Sequence, residues 1–544
     1  MIRSGHVDTF ARDNLPPQAQ WPEFKFTLPE LQYPDRLNCV TEFVDKWVAN
    51  EGDRVAIISP AETLTYAQLA ERINRIANVL TRDLGMAPGH RVLMRAPNSA
   101  MAIAVYLAVI KAGGVMVATM PLLRAKELSY VVTKAKIKLA LCDSHLADEL
   151  EKTRSLAREL TRIVYWGDGE LGGLMAKSGY ESFAACDTSS DDVCLIAFTS
   201  GTTGEPKGTM HFQRDMLASC DSYAKYVLQP DRNDRFIGSA PLAFTFGLGG
   251  HVLFPFRIGA ATIQLEAAPP DVLLPAIAKY GATICFTAPT AYRAMTAKLG
   301  EHDISSLRKC VSAGEALPKA TFDAWHQATG MQILDGIGAT EMMHIFIGSP
   351  ESEIRPGATG RAVPGYEAKV IDDDGRECAP GTVGRLAVRG PTGCRYLGDA
   401  RQTKYVQDGW NVTGDTYRMD ADGYFWYQAR SDDMIISAGY NIAGPEVESA
   451  LLLHPAVAEC GVVGVADEER GQIVKAYVVL RAGHNGDAAM TRALQDYVKA
   501  AIAPYKYPRA IDYVAELPKT QTGKLQRFEL RKTAAAQANR KLAS

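Results

Sequence analysis

The chain has 544 residues, with 59 Lys+Arg against 62 Asp+Glu for a formal net charge of -3, and 47% of its residues are hydrophobic. So even a charge balance supplies no long-range field for nucleic acid or anionic lipid, and no basic run of useful length occurs. At about 100–200 residues per domain, the length fits three or four compact units, or one large α/β body with a smaller partner.

The first residues, MIRSGHVDTFARDNLPP, alternate charged and apolar side chains and lack the apolar core of a secretory signal, so a cytoplasmic protein is expected. From Leu64 the apolar residues Leu69, Ile73, Ile76 and Leu80 recur at the spacing of an amphipathic helix, with Thr65 as its N-cap. The most apolar stretch, Met101 to Leu123, is divided by Lys111 and the Ala-Gly-Gly after it. It reads as a buried helix followed by a buried strand, and no membrane partner is expected. Short apolar runs alternate with helical patterns at Arg91–Arg95, Val115–Thr119, Leu139–Cys142, Cys194–Phe198, Phe236–Ala240, Ala261–Leu265 and Thr283–Thr287. This alternation predicts parallel sheets covered by helices. Between about Tyr366 and Tyr427, short strands broken by Gly, Pro and Asp pairs predict an antiparallel unit. A fresh pattern after Ser431 places a helix at Glu446–His454 and strands at Val457–Val463 and Val474–Leu480, so a small C-terminal domain is expected, with the last dozen residues frayed. Ten cysteines stand singly, with no C-x-x-C pair for zinc or redox work, and fit buried thiols of a reducing compartment.

Chemistry is concentrated in Thr199–Gly208, TSGTTGEPKG, directly after the strand-like Cys194–Phe198. Its glycines, hydroxyl residues and lysine offer backbone N–H groups, hydroxyl donors and a cation to a polyphosphate. The G-x-x-x-x-G-K-[ST] pattern of NTPase P-loops is not satisfied, and composition alone also allows a plain surface loop. The order of the residues resembles the signature of the adenylate-forming superfamily of acyl-CoA synthetases, luciferases and adenylation domains. Further motifs follow in that family's order: Gly338–Glu341 (GATE), Thr413–Asp415 (TGD), Arg430–Ile436 (RSDDMII) and Pro518–Lys524 (PKTQTGK).

The resemblance spans essentially the whole chain and implies an α/β fold. Residues 1–431 would form a large body of helix-covered β-sheets plus a small β-barrel-like unit, and 432–544 a mobile α+β lid hinged at Asp432. It implies ATP, CoA and Mg²⁺ as the groups bound. A carboxylate is a poor electrophile, so thioester formation needs prior activation, and positioning and charge neutralisation then carry the catalysis.

By the same resemblance, Thr199, Ser200, Gly201, Thr202, Thr203 and Lys207 would hold the β- and γ-phosphates. Thr340 would touch the α-phosphate, and Glu341 would hold Mg²⁺ as the single carboxylate among phosphates and water. Gly314, Glu315, Asp335, Gly336, Ile337 and Gly338 would complete the ATP/AMP site, with Ile337 where an aromatic often packs on adenine. Asp415 would accept the ribose hydroxyls, supported by Arg430. Lys524 would be the adenylation catalyst, beside Thr340 and Glu341, moving away as the lid turns. Ser437, Ala438, Gly439 and Tyr440 would line the CoA channel. Taken alone, Glu341 is equally a solvated loop acid, Lys524 a solvated terminal lysine and Tyr440 plain packing.

The stretch Ala240–Gly250, APLAFTFGLGG, sets Phe244 and Phe246 beside small residues such as Gly247, as a wall for a flat ligand or as core strand. Phe244 stands where many superfamily members carry histidine, and with Asp335–Ile345 (DGIGATEMMHI) it resembles the benzoate-type ligases. His344 would join Gly338 in the aryl-acid pocket and meet the carboxylate, or serve as a structural histidine. Ala11–Pro17 and Leu31–Cys39 are similar to the 2-aminobenzoate-CoA ligases within that group. The expected substrate is therefore 2-aminobenzoate, benzoate or a close relative, with long fatty acids disfavoured. The rival is a stand-alone aryl-acid adenylating enzyme that loads a separate carrier. A homodimer is compatible with the resemblance.

Overall fold

The computed structural model describes residues 3–199, 206–430, 433–437, 440–467, 470–502, 504–519 and 524–543, with the backbone alone for Tyr440, Asn441 and 538–543. Thr65 caps the helix Tyr66–Asn78 reciprocally with Gln68, and Leu69, Ile73 and Ile76 are buried along its inner face. The apolar stretch becomes the helix Ala100–Lys111, buried nearly all round, and the strand Val115–Thr119. Lys111 is buried but satisfied by Asp45 at 2.8 Å and Asn74 at 2.7 Å. Among the described residues no helix is long and apolar enough to cross a membrane. All ten cysteines are free thiols, and only Cys186 and Cys378 are not fully buried.

Two large sheets form the body. The first runs Arg162–Trp166, Leu139–Asp143, Arg91–Arg95, Val115–Thr119, Val193–Thr199, Lys207–Phe212 in spatial order. Its pairs are parallel until the last, where Val193–Thr199 and Lys207–Phe212 are antiparallel. The second has nine strands, parallel from Val55–Ile58 across to Ile333–Gly338 and antiparallel at both edges. The expected all-parallel order therefore fails at the sheet edges. A short connection cannot return a strand in parallel, whereas it closes a hairpin readily. The segment read as a phosphate loop joins two such antiparallel strands, Val193–Thr199 and Lys207–Phe212.

The expected antiparallel unit is a five-stranded sheet built on Glu367–Ile371, Val383–Arg389 and Trp410–Met419. Beyond 433, a hairpin Ile435–Ser437/Tyr440–Ile442 precedes a three-stranded sheet of Val457–Asp467, Gly471–Leu480 and Ala510–Tyr513. These C-terminal residues bury their own cores, one around Val447, Val462 and Val478 and one around Tyr477 and Leu530. The tail is helical from Arg527 to Ala543, against the expectation of fraying, because Leu530 and Ala534 pack inward from one face.

Candidate active site

Thr199 ends one strand and pairs with Lys207 at the start of the next, which fixes both ends of the glycine-rich connection. Ser200, Gly201, Thr202 and Thr203 lie outside the described residues. Lys207 donates from Nζ to the Tyr396 hydroxyl at 2.7 Å and to Glu341 Oε1 at 3.3 Å, and its ammonium sits 4.7 Å from the Tyr396 ring centre. Glu341 is only 6% exposed, so it is no solvated loop acid. It belongs to the short helical turn Thr340–Met342, whose end is strained: Met343 adopts φ 70°, in the left-handed region that β-carbon-bearing residues avoid. Behind the turn, His211 Nε2 lies 2.8 Å from the Thr340 carbonyl and is assigned as its donor. His211 in turn lies against Asp215, which forms a fully buried ion pair with Arg395. Burial alone would raise the Asp215 pKa, but the Arg395 guanidinium holds it below the ordinary value.

Asp415 and Arg430 face each other across an antiparallel pair, with Arg430 NH1 3.3 Å from Asp415 Oδ1. A β-carbon on Gly414 would fall 2.3 Å from the guanidinium, so glycine is what lets it lie on the strand. Burial raises the Asp415 pKa against the pull of Arg430. Gly314, at φ 89°, receives Lys524 from the C-terminal part: a β-carbon there would meet its Cε at 3.3 Å and Nζ at 3.5 Å. Lys524 keeps solvent-accessible area yet is densely surrounded, and desolvation lowers its pKa while Glu315 opposes the change. Burial pushes Glu315 up to about 7 against the pull of Lys524 and Arg527. Asp335, also buried, is pushed up to about 8. Gly336 and Gly338 are explained by packing: β-carbons there would strike Ile345 and the His344 carbonyl at 2.7 Å. Ile337 is half-buried and pairs with Ile347.

His344 lies in a cage of rings. Phe254, Tyr223, Phe246 and Phe286 have centroids 4.6, 5.5, 5.7 and 6.4 Å from its own. Among the described residues neither ring nitrogen makes a hydrogen bond of good geometry, although the Phe246 backbone lies near enough to oppose the shift; burial outweighs it and lowers the pKa to about 3, so the imidazole is neutral. A β-carbon on Gly249 would meet its ring at 2.4 Å. Phe246 is one of these rings and lies on the short helix Thr245–Leu248, not on a strand, and Phe244 is the half-buried residue preceding it. Glycine at position 247 is required by packing, since a β-carbon would sit 2.1 Å from the Pro241 carbonyl. His251, bonded to the Ala240 carbonyl at 3.1 Å, and Asn98, accepting from Leu242 N at 2.7 Å, hold this loop.

Among the remaining expected residues, Ser437 is buried and accepts from Arg470 Nε at 3.3 Å. Asp432, Ala438 and Gly439 lie outside the described residues, as does the Tyr440 side chain. Sequence reasoning missed Tyr223, Phe254, Phe286, His211 and Tyr396. Only contacts distant in sequence bring them to the motif residues, and no local spacing marks them. The described residues hold no cluster of three His, Cys, Asp or Glu side chains. The carboxylate beside Lys207 is Glu341, whose two hydrogen bonds among the described residues both fall on Oε1.

The family model of AMP-binding enzymes matches residues 44–396, and that of the AMP-binding enzyme C-terminal domain matches 446–524. The benzoate–CoA ligase of Thauera aromatica is 36% identical over 521 residues, covering 93% of this chain and 98% of that protein. The crystal structure of the anthranilate CoA ligase AuaEII in complex with anthranoyl-AMP superposes with a TM-score of 0.90 at 34% identity, over 94% of this chain and 100% of that one. A benzoate CoA ligase from Burkholderia xenovorans LB400 gives a TM-score of 0.84 at 31% identity, over 91% and 100% of the two chains.

Proposed function

Since the chain belongs to the AMP-binding enzyme family and is an AMP-forming acid–thiol ligase, we propose that it converts an aromatic carboxylate, 2-aminobenzoate or a benzoate-like acid, to its CoA thioester through an aryl-AMP. The observation that carries this reading is the buried, neutral His344 inside its aromatic cage. A flat ring fits against Tyr223, Phe246, Phe254 and Phe286, while the imidazole N–H donates to the ring's carboxylate. The discrimination against a long alkyl chain comes from the rings, which match a flat face, since the donor would serve any carboxylate.

In the first half-reaction the carboxylate oxygen attacks the α-phosphorus of ATP and pyrophosphate leaves. Thr199 to Lys207 hold the β- and γ-phosphates, Thr340 the α-phosphate, and Asp415 with Arg430 the ribose. Asp335 to Gly338 and Gly314 with Glu315 complete the nucleotide site. Lys524, laid on Gly314, brings its cation to the carboxylate and the α-phosphate. Glu341 would hold Mg²⁺, which would supply charge neutralisation to the phosphates. One buried carboxylate with an oxygen unengaged by described residues fits such a site, with phosphates and water as the other ligands. In the second half-reaction the lid, residues 432–544, turns at Asp432 and withdraws Lys524. The CoA thiol then reaches the aryl carbonyl along Ser437–Tyr440 and displaces AMP.

Carboxylate-dependent ATP–pyrophosphate exchange over a panel of aryl and fatty acids, followed by CoA-dependent AMP release, tests the proposal. Exchange and release are expected with 2-aminobenzoate or benzoate. No exchange with any aryl acid would overturn the reading, and exchange without CoA turnover would point to carrier loading. The Tyr223 ring lies 5.5 Å from that of His344, and its buried hydroxyl has no partner among the described residues, which suits a polar ring substituent. Tyr223→Phe is expected to lower kcat/KM for 2-aminobenzoate about tenfold and that for benzoate by less than about twofold. Equal losses on both acids would remove Tyr223 from substituent recognition.

A further inference from the structure

Tyr396 stands between Lys207 and Glu341. Its hydroxyl accepts from Lys207 Nζ at 2.7 Å and donates to Glu341 Oε1 at 2.5 Å. One phenol has one proton and two lone-pair directions, so it serves both partners at once. Its position is tied to the strand that carries Lys207: Met210 N donates to the Arg395 carbonyl and Leu397 N to that of Gly208, both at 2.8 Å. Tyr396 N also donates to Gln402 Oε1 at 2.9 Å. An apolar ring would satisfy the packing, so the hydroxyl needs another explanation.

We infer that Tyr396 is a positioning residue, whose hydroxyl fixes the orientation of the Glu341 carboxylate and so presents its other oxygen to the metal. The inference rests on the reading of Glu341 as the magnesium ligand. Lys207 also reaches Oε1, at 3.3 Å, but an ammonium on a flexible stem sets no single carboxylate orientation. The shorter, directional bond from the Tyr396 hydroxyl does, and it leaves Oε2 unengaged by described residues. Lys207, which has three donors, keeps others for phosphate oxygens.

The test is calorimetric ATP binding across a Mg²⁺ series starting from EDTA, read as the half-saturating Mg²⁺ concentration. Tyr396→Phe is expected to raise that concentration about tenfold, the scale of a lost hydrogen bond to a charged group. Lys207→Met, which leaves the Tyr396–Glu341 bond in place, is expected to keep it within about twofold while weakening ATP binding in EDTA about tenfold. A Tyr396→Phe midpoint equal to the parent's, or a Lys207→Met midpoint that rises equally, would overturn the inference. If Tyr396→Phe does not fold, by circular dichroism, the Lys207→Met arm decides. A parent chain that binds no ATP at any Mg²⁺ concentration would instead defeat the functional proposal itself.

Discussion

Replacing Lys524 by alanine is expected to lower aryl-acid-dependent ATP–pyrophosphate exchange by about a hundredfold or more, while thioester formation from supplied aryl-AMP stays within about threefold of the parent. The asymmetry follows from where the residue lies. Its ammonium rests on the Gly314 backbone, near Glu315, Asp415 and Arg430, at the meeting of the C-terminal part with the nucleotide side of the body. A cation placed there neutralises charge as the carboxylate approaches the α-phosphate. It has no task once the anhydride exists, because the thiol attacks after Lys524 has left. Single-turnover assays of the two half-reactions give the answer separately. Equal losses in both would mean that Lys524 supports the fold or the docking and not adenylation.

The second large effect concerns stability. Asp215→Ala is expected to destabilise the body by about 3–5 kcal/mol, because Arg395 would remain as an uncompensated buried charge. Both side chains have no solvent exposure. The same carboxylate accepts from Phe212 N at 2.9 Å at the start of the helix Gln213–Ser219, so a helix cap is lost as well. Urea unfolding followed by tryptophan fluorescence measures the difference. The Asp215 pKa lies below its ordinary 3.8 in the fold. Its stabilisation is therefore complete above the unfolded value and disappears as pH falls through the lower folded one. The gap between parent and variant should thus be full at neutral pH and narrow below about pH 4. A gap that stayed constant into acid would show that the lost packing, and not the charge pair, is responsible.

Much of the scaffold was legible because it is written locally. The strands Arg91–Arg95 and Val115–Thr119 lie where the apolar runs placed them, and Thr65 caps its helix. The residues of the motifs that the structure describes do converge: Lys207, Glu341, Asp415, Arg430 and Lys524 come from separate segments to one side of the body. What the sequence could not show is what joins them. Tyr396 is 189 residues from Lys207 and 55 from Glu341, and no spacing rule links such positions. Tyr223 sits on a helix whose pattern reads as core, and its hydroxyl matters only because His344 arrives beside it. Phe244 and Phe246 looked like alternate strand positions, but the short helix Thr245–Leu248 turns Phe246 toward the imidazole and leaves Phe244 at its start.

The separate cores of the C-terminal part have a consequence for motion. Among the described residues, no hydrophobic cluster draws members from both sides of residues 431–432. Turning the lid therefore exposes no interior and needs no refolding. What it must exchange for water is electrostatic: Lys524 with Glu315 and Asp415, and Arg293 with Glu459. Such contacts are weakened by dissolved ions far more than a buried core is. On the proposed lid turn, ionic strength is expected to shift which half-reaction is favoured, while leaving the folding of either part almost untouched.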